Sequence, residues 1–576
     1  GTTVFDKSGK PVTVKCRGRV ENLAQKAAKK EISGTCGIGH TRWATHGAPE
    51  EKNAHPHASR SLTLVHNGII DNCVELKKEL ENDGYEFVSD TDTECAAHLI
   101  DREYRRLSSP VKAIYSALDR LRGSYALAII FYDRPDEIYA VRKDSPLIVA
   151  VNPDGGYVAS DIPALLPHGR DFIRPKEGKV CVVRKTSAVT VDRDGTEYEE
   201  TPERFDLDVS SAQKNGYPHF MLKEMYEQPK TVRDTLSPRI KDGKIEIEEL
   251  GMTDEEIRDI NRIHIVACGS AYHTGVTAKY VFEGMARIPV EVDLASEFRY
   301  RNPILDANDL VIIISQSGET ADSLAALREA KEQGIKTLGI VNVVGSSIAR
   351  EADKVMYTWA GPEIAVATTK AYSAQLIAQY LLAIKFAVAR GRITDQEVEE
   401  YLGDLKKLPD QIELLLSNQT KIQKFANRYI AAKDVFFIGR GIDYAISMEG
   451  SLKLKEISYV HSEAYAAGEL KHGTISLIED GTLVVAIATQ EDLYKKTVSN
   501  MVEVKTRGAF VMAVTNEGNI DIEKAADYVI YIPLTNKYFT NSLAIIPLQL
   551  FGYYVSVGKG CDVDKPRNLA KSVTVE

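Results

Sequence analysis

Hydrophobic positions change their rhythm partway along the chain. Through residues 1–200 the apolar residues come in short alternating runs: SLTLVHNG (61–68), YALAIIFYD (125–133), EIYAVRK (137–143) and KVCVVRK (179–185). Alternation of period two, closed by Gly, Asn and Asp, predicts strands that bury one face. Two stretches in this half carry helical spacing instead, Asn72–Asp83 and Thr93–Leu107. Successive strands with helices between blocks predict an α+β layered sandwich. The acidic, polar stretch from Tyr198 to Gly216 has no such rhythm and reads as a linker.

Beyond residue 216, apolar β runs alternate with longer helical patterns, as in parallel doubly wound sheets. The order of elements then repeats. Ile263–Gly269 (IHIVACG) resembles Val435–Gly441 (VFFIGRG), and Leu310–Gln316 (LVIIISQ) resembles Leu483–Thr489 (LVVAIAT). Gly334–Asn342 (GIKTLGIVN) likewise resembles Gly508–Asn516 (GAFVMAVTN). The spacings agree to within a couple of residues, so two similar α/β domains in tandem are expected. The predicted divisions are 1–200, a linker at 201–216, domains at 217–400 and 401–560, and a tail at 561–576.

Composition narrows the class. At roughly 150 residues per domain, 576 residues suit three or four domains. With 44% hydrophobic and 27% charged residues the chain is an ordinary globular one. No apolar run nears the roughly 20 residues of a membrane span, and the opening GTTVFDKSGKPVTV has no export signal. Seven cysteines without a CxxC pair fit a reducing, cytoplasmic setting. A net charge of −10 argues against a nucleic-acid partner but leaves room for a local anion pocket.

Such a pocket is signalled by Ser315-Gln316-Ser317-Gly318-Glu319-Thr320, between an apolar strand and a helix spaced through Leu324, Leu327 and Ala330. Backbone N–H groups and the helix dipole at such a turn favour phosphate; the plainer alternative is an ordinary N-cap. The second copy reads Ala488-Thr489-Gln490-Glu491-Asp492, without the glycine and with added acids. One sugar-phosphate site, in the first copy, is therefore expected, with the turn Cys268-Gly269-Ser270 closing its other side.

The first half carries a different chemistry. Asn67 and Gly68 offer two donors to a developing oxyanion, although Asn-Gly also marks a tight hairpin. Arg42 suits a carboxylate. Asp92 suits an ammonium, although Thr91 with Glu94 also spells a capping box. Five histidines between His40 and His66 have no spacing that sets two ligands on one helix face, so no metal is expected. No motif calls for an organic cofactor.

Together these segments resemble one family over essentially the whole chain, the isomerizing glutamine–fructose-6-phosphate aminotransferases (glucosamine-6-phosphate synthases), in their bacterial type. The resemblance is carried by GHTRWATHG (39–47), NAHPH (53–57), HNGII (66–70), SDTDTE (89–94) and SQSGETAD (315–322). It continues in EGSLKLKEISYVHSEAYAAGELKHG (449–473) and DVDKPRNLAKSVTVE (562–576). It implies a glutaminase sandwich of the N-terminal-nucleophile type followed by two sugar-isomerase domains. Glutamine would be held by Arg42 and Asp92, with Asn67 and Gly68 as oxyanion hole and Thr45 and His46 lining the pocket. Trp43 would gate ammonia on its way to the sugar.

In the sugar half the resemblance implies phosphate binding by Ser315, Gln316, Ser317 and Thr320, with sugar contacts from Val366, Thr368 and Ala570. Thr368 and Ala271 stand where the family often has Ser. Glu456 would move a proton between C1 and C2, as a suitably buried carboxylate can. Lys571 would form an imine with the open ketose, Lys453 would assist, and His472 would open the ring from a neighbouring subunit of a homodimer. The family's nucleophilic N-terminal cysteine is missing, and Cys16 sits in a probable strand, Val12–Cys16, so the chain as given is expected not to hydrolyse glutamine. An aldose–ketose isomerase would share the phosphate loop, Glu456 and His472 without needing Arg42, Asn67, Gly68 or Asp92. A sugar-phosphate sensor would need neither Glu456 nor Lys571.

Overall fold

Leu62–Ile70 and Gly123–Phe131 pair antiparallel along their whole length, Val65 opposite Ala128 and Asn67 opposite Ala126. They sit inside a seven-stranded sheet ordered Glu197–Glu199, Ala188–Val191, Val180–Val183, Ile138–Lys143, Gly123–Phe131, Leu62–Ile70, His57–Ala58. In the computed structural model, which describes residues 1–30, 32–42, 47–162, 164–204 and 213–574, this sheet belongs to the first of two units, Gly1–Ala212 with Val573–Glu576. Alternation works as expected. Leu64, Leu127, Ile129 and Val141 face the helices Cys73–Asn82, Asp92–Leu107 and Pro110–Leu118. Ala126, Ala140 and Cys181, on the opposite face, pack on Val149 and Ile173 of a second, four-stranded sheet. The result is an α+β layered sandwich. Its smaller sheet ends in Glu203–Arg204, paired to Asp171 and Phe172, so the stretch read as a linker begins inside a sheet.

The second unit, Gln213–Ser572, holds two five-stranded parallel sheets. Numbered from its own start, the strands are β1 (Arg262–Ala267), β2 (Val290–Leu294), β3 (Asp309–Ser315), β4 (Lys336–Val341) and β5 (Lys354–Tyr357), then β6 (Asp434–Gly439), β7 (His461–Ala466), β8 (Leu483–Ala488), β9 (Phe510–Asn516) and β10 (Tyr528–Ile532). Their spatial orders, β2-β1-β3-β4-β5 and β7-β6-β8-β9-β10, are the same, which makes the internal repeat a structural one. The helices that matter below are α1 (Phe220–Leu236), α2 (Gly269–Met285), α3 (Ala321–Glu332), α4 (Lys370–Ala389), α5 (Asp395–Ser417), α6 (Ile442–Ser458) and α7 (Thr540–Gly558). One core joins both sheets: Ile265 and Ile312 of the first, Val485 and Met512 of the second, with Leu376 and Ile377 of α4 and Leu543 and Ile546 of α7.

By length and composition α4 is apolar enough to cross a membrane, contrary to the sequence expectation, but 89% of that window is buried inside the fold. Its uniform apolarity reflects contact on all sides, as in any central helix.

Candidate active site

In an open parallel sheet, ligands sit where two neighbouring strands lead to helices on opposite sides. Here that point lies between β1 and β3, which end at Ala267 and Ser315. Both predicted turns are there. The β3–α3 turn folds on itself: Ser315 Oγ meets Thr320 Oγ1 at 2.9 Å and accepts from Gly318 N at 3.0 Å. Thr320 stands at the N-cap position, but its side chain does not cap α3, so the plain N-cap explanation fails. Glu319 ties the turn down by accepting from Ser347 N at 2.9 Å and Ser347 Oγ at 2.7 Å. Gly318 has φ +64°, and a Cβ there would lie 2.0 Å from Ser346 Oγ, so glycine is required.

On the other wall Gly269 has φ +55°, and Cys268 Sγ lies 3.8 Å from Ser323 Oγ of α3. Ser270, 8% exposed, is turned away from the turn and donates to Glu449 Oε1 at 2.9 Å.

The C-terminal tail closes on this place. Ser572 Oγ donates to Ser317 Oγ at 3.0 Å. Lys571 Nζ donates to Glu363 Oε2 at 2.5 Å and to Ala365 O at 2.7 Å; Ala570 precedes it in the same tail segment. Thr368 Oγ1 donates to the same Glu363 oxygen at 2.7 Å, and Val366 N donates to Asp564 O at 3.0 Å. Burial raises the Glu363 carboxyl, but Lys571, then Thr369 N and Thr368, outweigh it and hold it down at about 2. Glu224 of α1 accepts from Ile364 N at 2.5 Å and from Ala365 N at 3.2 Å. Burial first, and the Glu363 charge second, push its carboxyl up to about 8.

A second charged row lies on α6. Glu449 and Lys453 are fully buried, Glu456 is 22% exposed, and Lys453 Nζ is ion-paired to Glu456 and 3.5 Å from Glu449. Burial opposes a charge on Lys453, yet Glu456 and Glu449 raise its pKa above the usual lysine value, and Glu363 adds to the effect. The two charged groups are thus within electrostatic reach of each other. His472 is exposed on a short turn, Glu469–His472, with no hydrogen bond or ion pair to Glu456 or Lys571 within its own chain among the described residues. Glu224, Glu363, Glu449 and His273 were missed from sequence. Only Glu449 had a signal, its i, i+4, i+7 spacing with Lys453 and Glu456.

The equivalent turn of the second copy is filled from within. Gly441 has φ +57°, matching Gly269, and Asp443 stands where the first copy has Ala271. Its buried carboxylate accepts from Thr489 N at 2.8 Å and Thr489 Oγ1 at 2.5 Å.

In the first unit, Asn67-Gly68 is no hairpin turn but part of a long strand. Asn67 Oδ1 lies 2.6 Å from His40 Nε2. Gly68 has φ +133°, and a Cβ would meet Ser124 O at 2.1 Å. Asp92 is buried at the start of its helix and accepts from Ile70 N at 2.8 Å. Glu94 bonds Val88 N and Ser89 rather than Thr91 N, so the capping box is absent. Arg42 donates to Gly47 O at 2.9 Å and Ala48 O at 3.2 Å, within electrostatic reach of Asp92. A cavity of about 370 Å³ beside Asn67 is lined by His40, His66, Tyr157 and His168. Trp43, Thr45 and His46 lie outside the described residues.

Among the described histidines of this stretch, His55 and His66 meet Thr93, and His57 meets Thr91. Among the described residues one group, His264, Glu291 and Asp293, has donor atoms close enough to share an ion, but Arg262 and Arg301 already pair with its carboxylates.

The fold and these two sites define a glutamine amidotransferase domain joined to a pair of sugar-isomerase domains. Residues 40–167 match the glutamine amidotransferase domain model, and residues 256–385 and 428–557 match the SIS domain model. The glutamine–fructose-6-phosphate aminotransferase [isomerizing] of Caldanaerobacter subterraneus is 54% identical over 98% of this chain and 93% of its own length. That of Clostridium tetani is 52% identical over the same shares. Among solved structures, the C-terminal domain of glucosamine-fructose-6-phosphate aminotransferase from Francisella tularensis matches 61% of this chain and all of its own, at 38% identity and a TM-score of 0.59. This chain belongs to the isomerizing glutamine–fructose-6-phosphate aminotransferase family.

Proposed function

We propose that the enzyme converts fructose 6-phosphate to glucosamine 6-phosphate with glutamine as nitrogen donor, working in the cytoplasm as a homodimer. In this reading 1–200 is the glutaminase, 201–216 a linker, 217–400 and 401–560 the isomerase domains, and 561–576 an active-site tail. Ser315, Gln316, Ser317 and Thr320 hold the phosphate, with Cys268, Gly269 and Ser270 closing the far wall and Val366, Thr368 and Ala570 along the sugar. Lys571 attacks the C2 carbonyl, Glu456 carries the proton between C1 and C2 with Lys453 beside it, and His472 opens the ring in a second copy of the chain. Arg42 and Asp92 take the two ends of glutamine, Asn67 and Gly68 the oxyanion. Thr45 and His46 line that pocket, and Trp43 gates the ammonia.

One observation carries most of this. The turn at Ser315–Thr320, the Lys571 amine and the Lys453–Glu456 pair are linked through Ser572 and Glu363, an arrangement a sensor does not need. The test is mass spectrometry of the full chain with fructose 6-phosphate, with and without glutamine, following glucose 6-phosphate, glucosamine 6-phosphate and glutamate. Conversion of the ketose to an aldose product, lost in Lys571→Ala, is expected. No turnover of the ketose under either condition would count against the sugar site.

A further inference from the structure

Two helices meet over the α6 row. Ser270 and His273, one turn apart on α2, point at the same carboxylate: Ser270 Oγ donates to Glu449 Oε1 at 2.9 Å, and His273 Nδ1 lies 2.8 Å from Glu449 Oε2. Facing a carboxylate oxygen, Nδ1 is the donor. Glu449 also lies 3.5 Å from Lys453 Nζ, the ammonium that pairs with Glu456. Lys453 is therefore shared between two carboxylates, one fully buried and one at the open end of the row.

A buried carboxylate is unfavourable unless donors satisfy it. With His273 in place, each Glu449 oxygen has a donor from α2, and Lys453 stays with Glu456. Without it, Oε2 has lost its α2 donor, and the Lys453 ammonium, already 3.5 Å from the other Glu449 oxygen, is a charged donor that can turn to it. Lys453 would then swing toward Glu449 and release Glu456.

We propose that His273 is a positioning residue for the proton transfer between C1 and C2: through Glu449 and Lys453 it fixes where the Glu456 carboxylate sits. The proposal rests on the reading of Glu456 as the base and adds a residue that reading does not contain. His273 does not touch the sugar in this scheme. Its contribution is to geometry, and about an ångström of misplacement in such a base costs on the order of 100-fold in rate.

The test compares two amides in the full chain. Asparagine places its amide nitrogen where Nδ1 stands, whereas glutamine places its own one bond further out, away from Glu449. His273→Gln is expected to lower kcat for fructose 6-phosphate to glucose 6-phosphate about 10–100-fold with KM little changed. His273→Asn is expected to restore most of the rate. Solvent deuterium entering C1 and C2 should follow kcat in both. Equal rates in the two variants, or a loss that falls on KM, would overturn the role of His273 alone. A native enzyme that forms no aldose would overturn the reading of the site, and this proposal with it. Neither variant empties a core position, and thermal melting of both checks that the comparison is between folded proteins.

Discussion

The turn at Gly318 can be tested by a single methyl group. Gly318 has φ +64°, where any Cβ costs about 1–2 kcal/mol. That Cβ would also stand 2.0 Å from Ser346 Oγ and 2.6 Å from Ser346 Cβ. Neither distance is tolerable, so Ser346 must move or the turn must open, at a cost of about 1–3 kcal/mol for a forced rearrangement. Gly318→Ala is thus expected to lose about 2–5 kcal/mol of phosphate affinity, roughly 30-fold or more. Calorimetric titration with fructose 6-phosphate reads this directly. The double variant Gly318→Ala with Ser346→Gly removes both close contacts and leaves Val341 Cγ1 at 3.4 Å, an ordinary distance. It should regain the steric part and keep only the backbone part. Native affinity in the single variant would refute the placing of phosphate at this turn. A double variant as weak as the single one would refute the assignment of the loss to Ser346.

Lys453→Met leaves two carboxylates facing each other without their cation, so a loss of about 3–5 kcal/mol is expected in urea unfolding, and a loss under about 1 kcal/mol would contradict the burial argument. Burial and the Glu363 charge raise Glu224 from 4.5 to about 8, so its stabilising protonated form is fully present below pH 4.5 and is lost as pH rises through about 8. Glu224→Gln keeps an acceptor for Ile364 and Ala365 and should flatten the alkaline fall of the unfolding midpoint; an unchanged fall would remove Glu224 as its source. In the first unit burial, the largest cause, lowers His40 from 6.5 to about 4 and His57 from 6.5 to about 3. Their neutral forms contribute stability that is present above pH 6.5 and lost as pH falls through about 4 and about 3. Hydrogen exchange on acidification should expose the strand Leu62–Ile70 before β1 and β3, and the reverse order would contradict this.

What could be read from sequence was what is local. Strand alternation and the turn at Ser315–Thr320 each declare themselves within a dozen residues, the duplicated order is a match between such short runs about 170 residues apart, and each stands where expected. The charged interior did not declare itself. Lys571 and Glu363 are 208 positions apart, Glu224 and Ile364 140, and a lone acidic residue reads by default as surface. Asn67-Gly68 shows the opposite failure, a strong hairpin signal overruled by pairing with Gly123–Phe131 on a neighbouring strand. Glu203–Arg204 has no strand pattern of its own and is ordered by Asp171 and Phe172.

The Asp443 carboxylate in the second copy changes what a ligand can do to this molecule. A dissociable anion stabilises a fold in proportion to its concentration, through the logarithm of occupancy. Asp443 is tethered, so its contacts with Thr489 do not vary with metabolite level or dilution. Of two sheets with the same strand order, the second carries its own permanent acid at the turn where the first has Ala271. Whatever anion the first turn takes, the second half of the shared core keeps the same internal contacts.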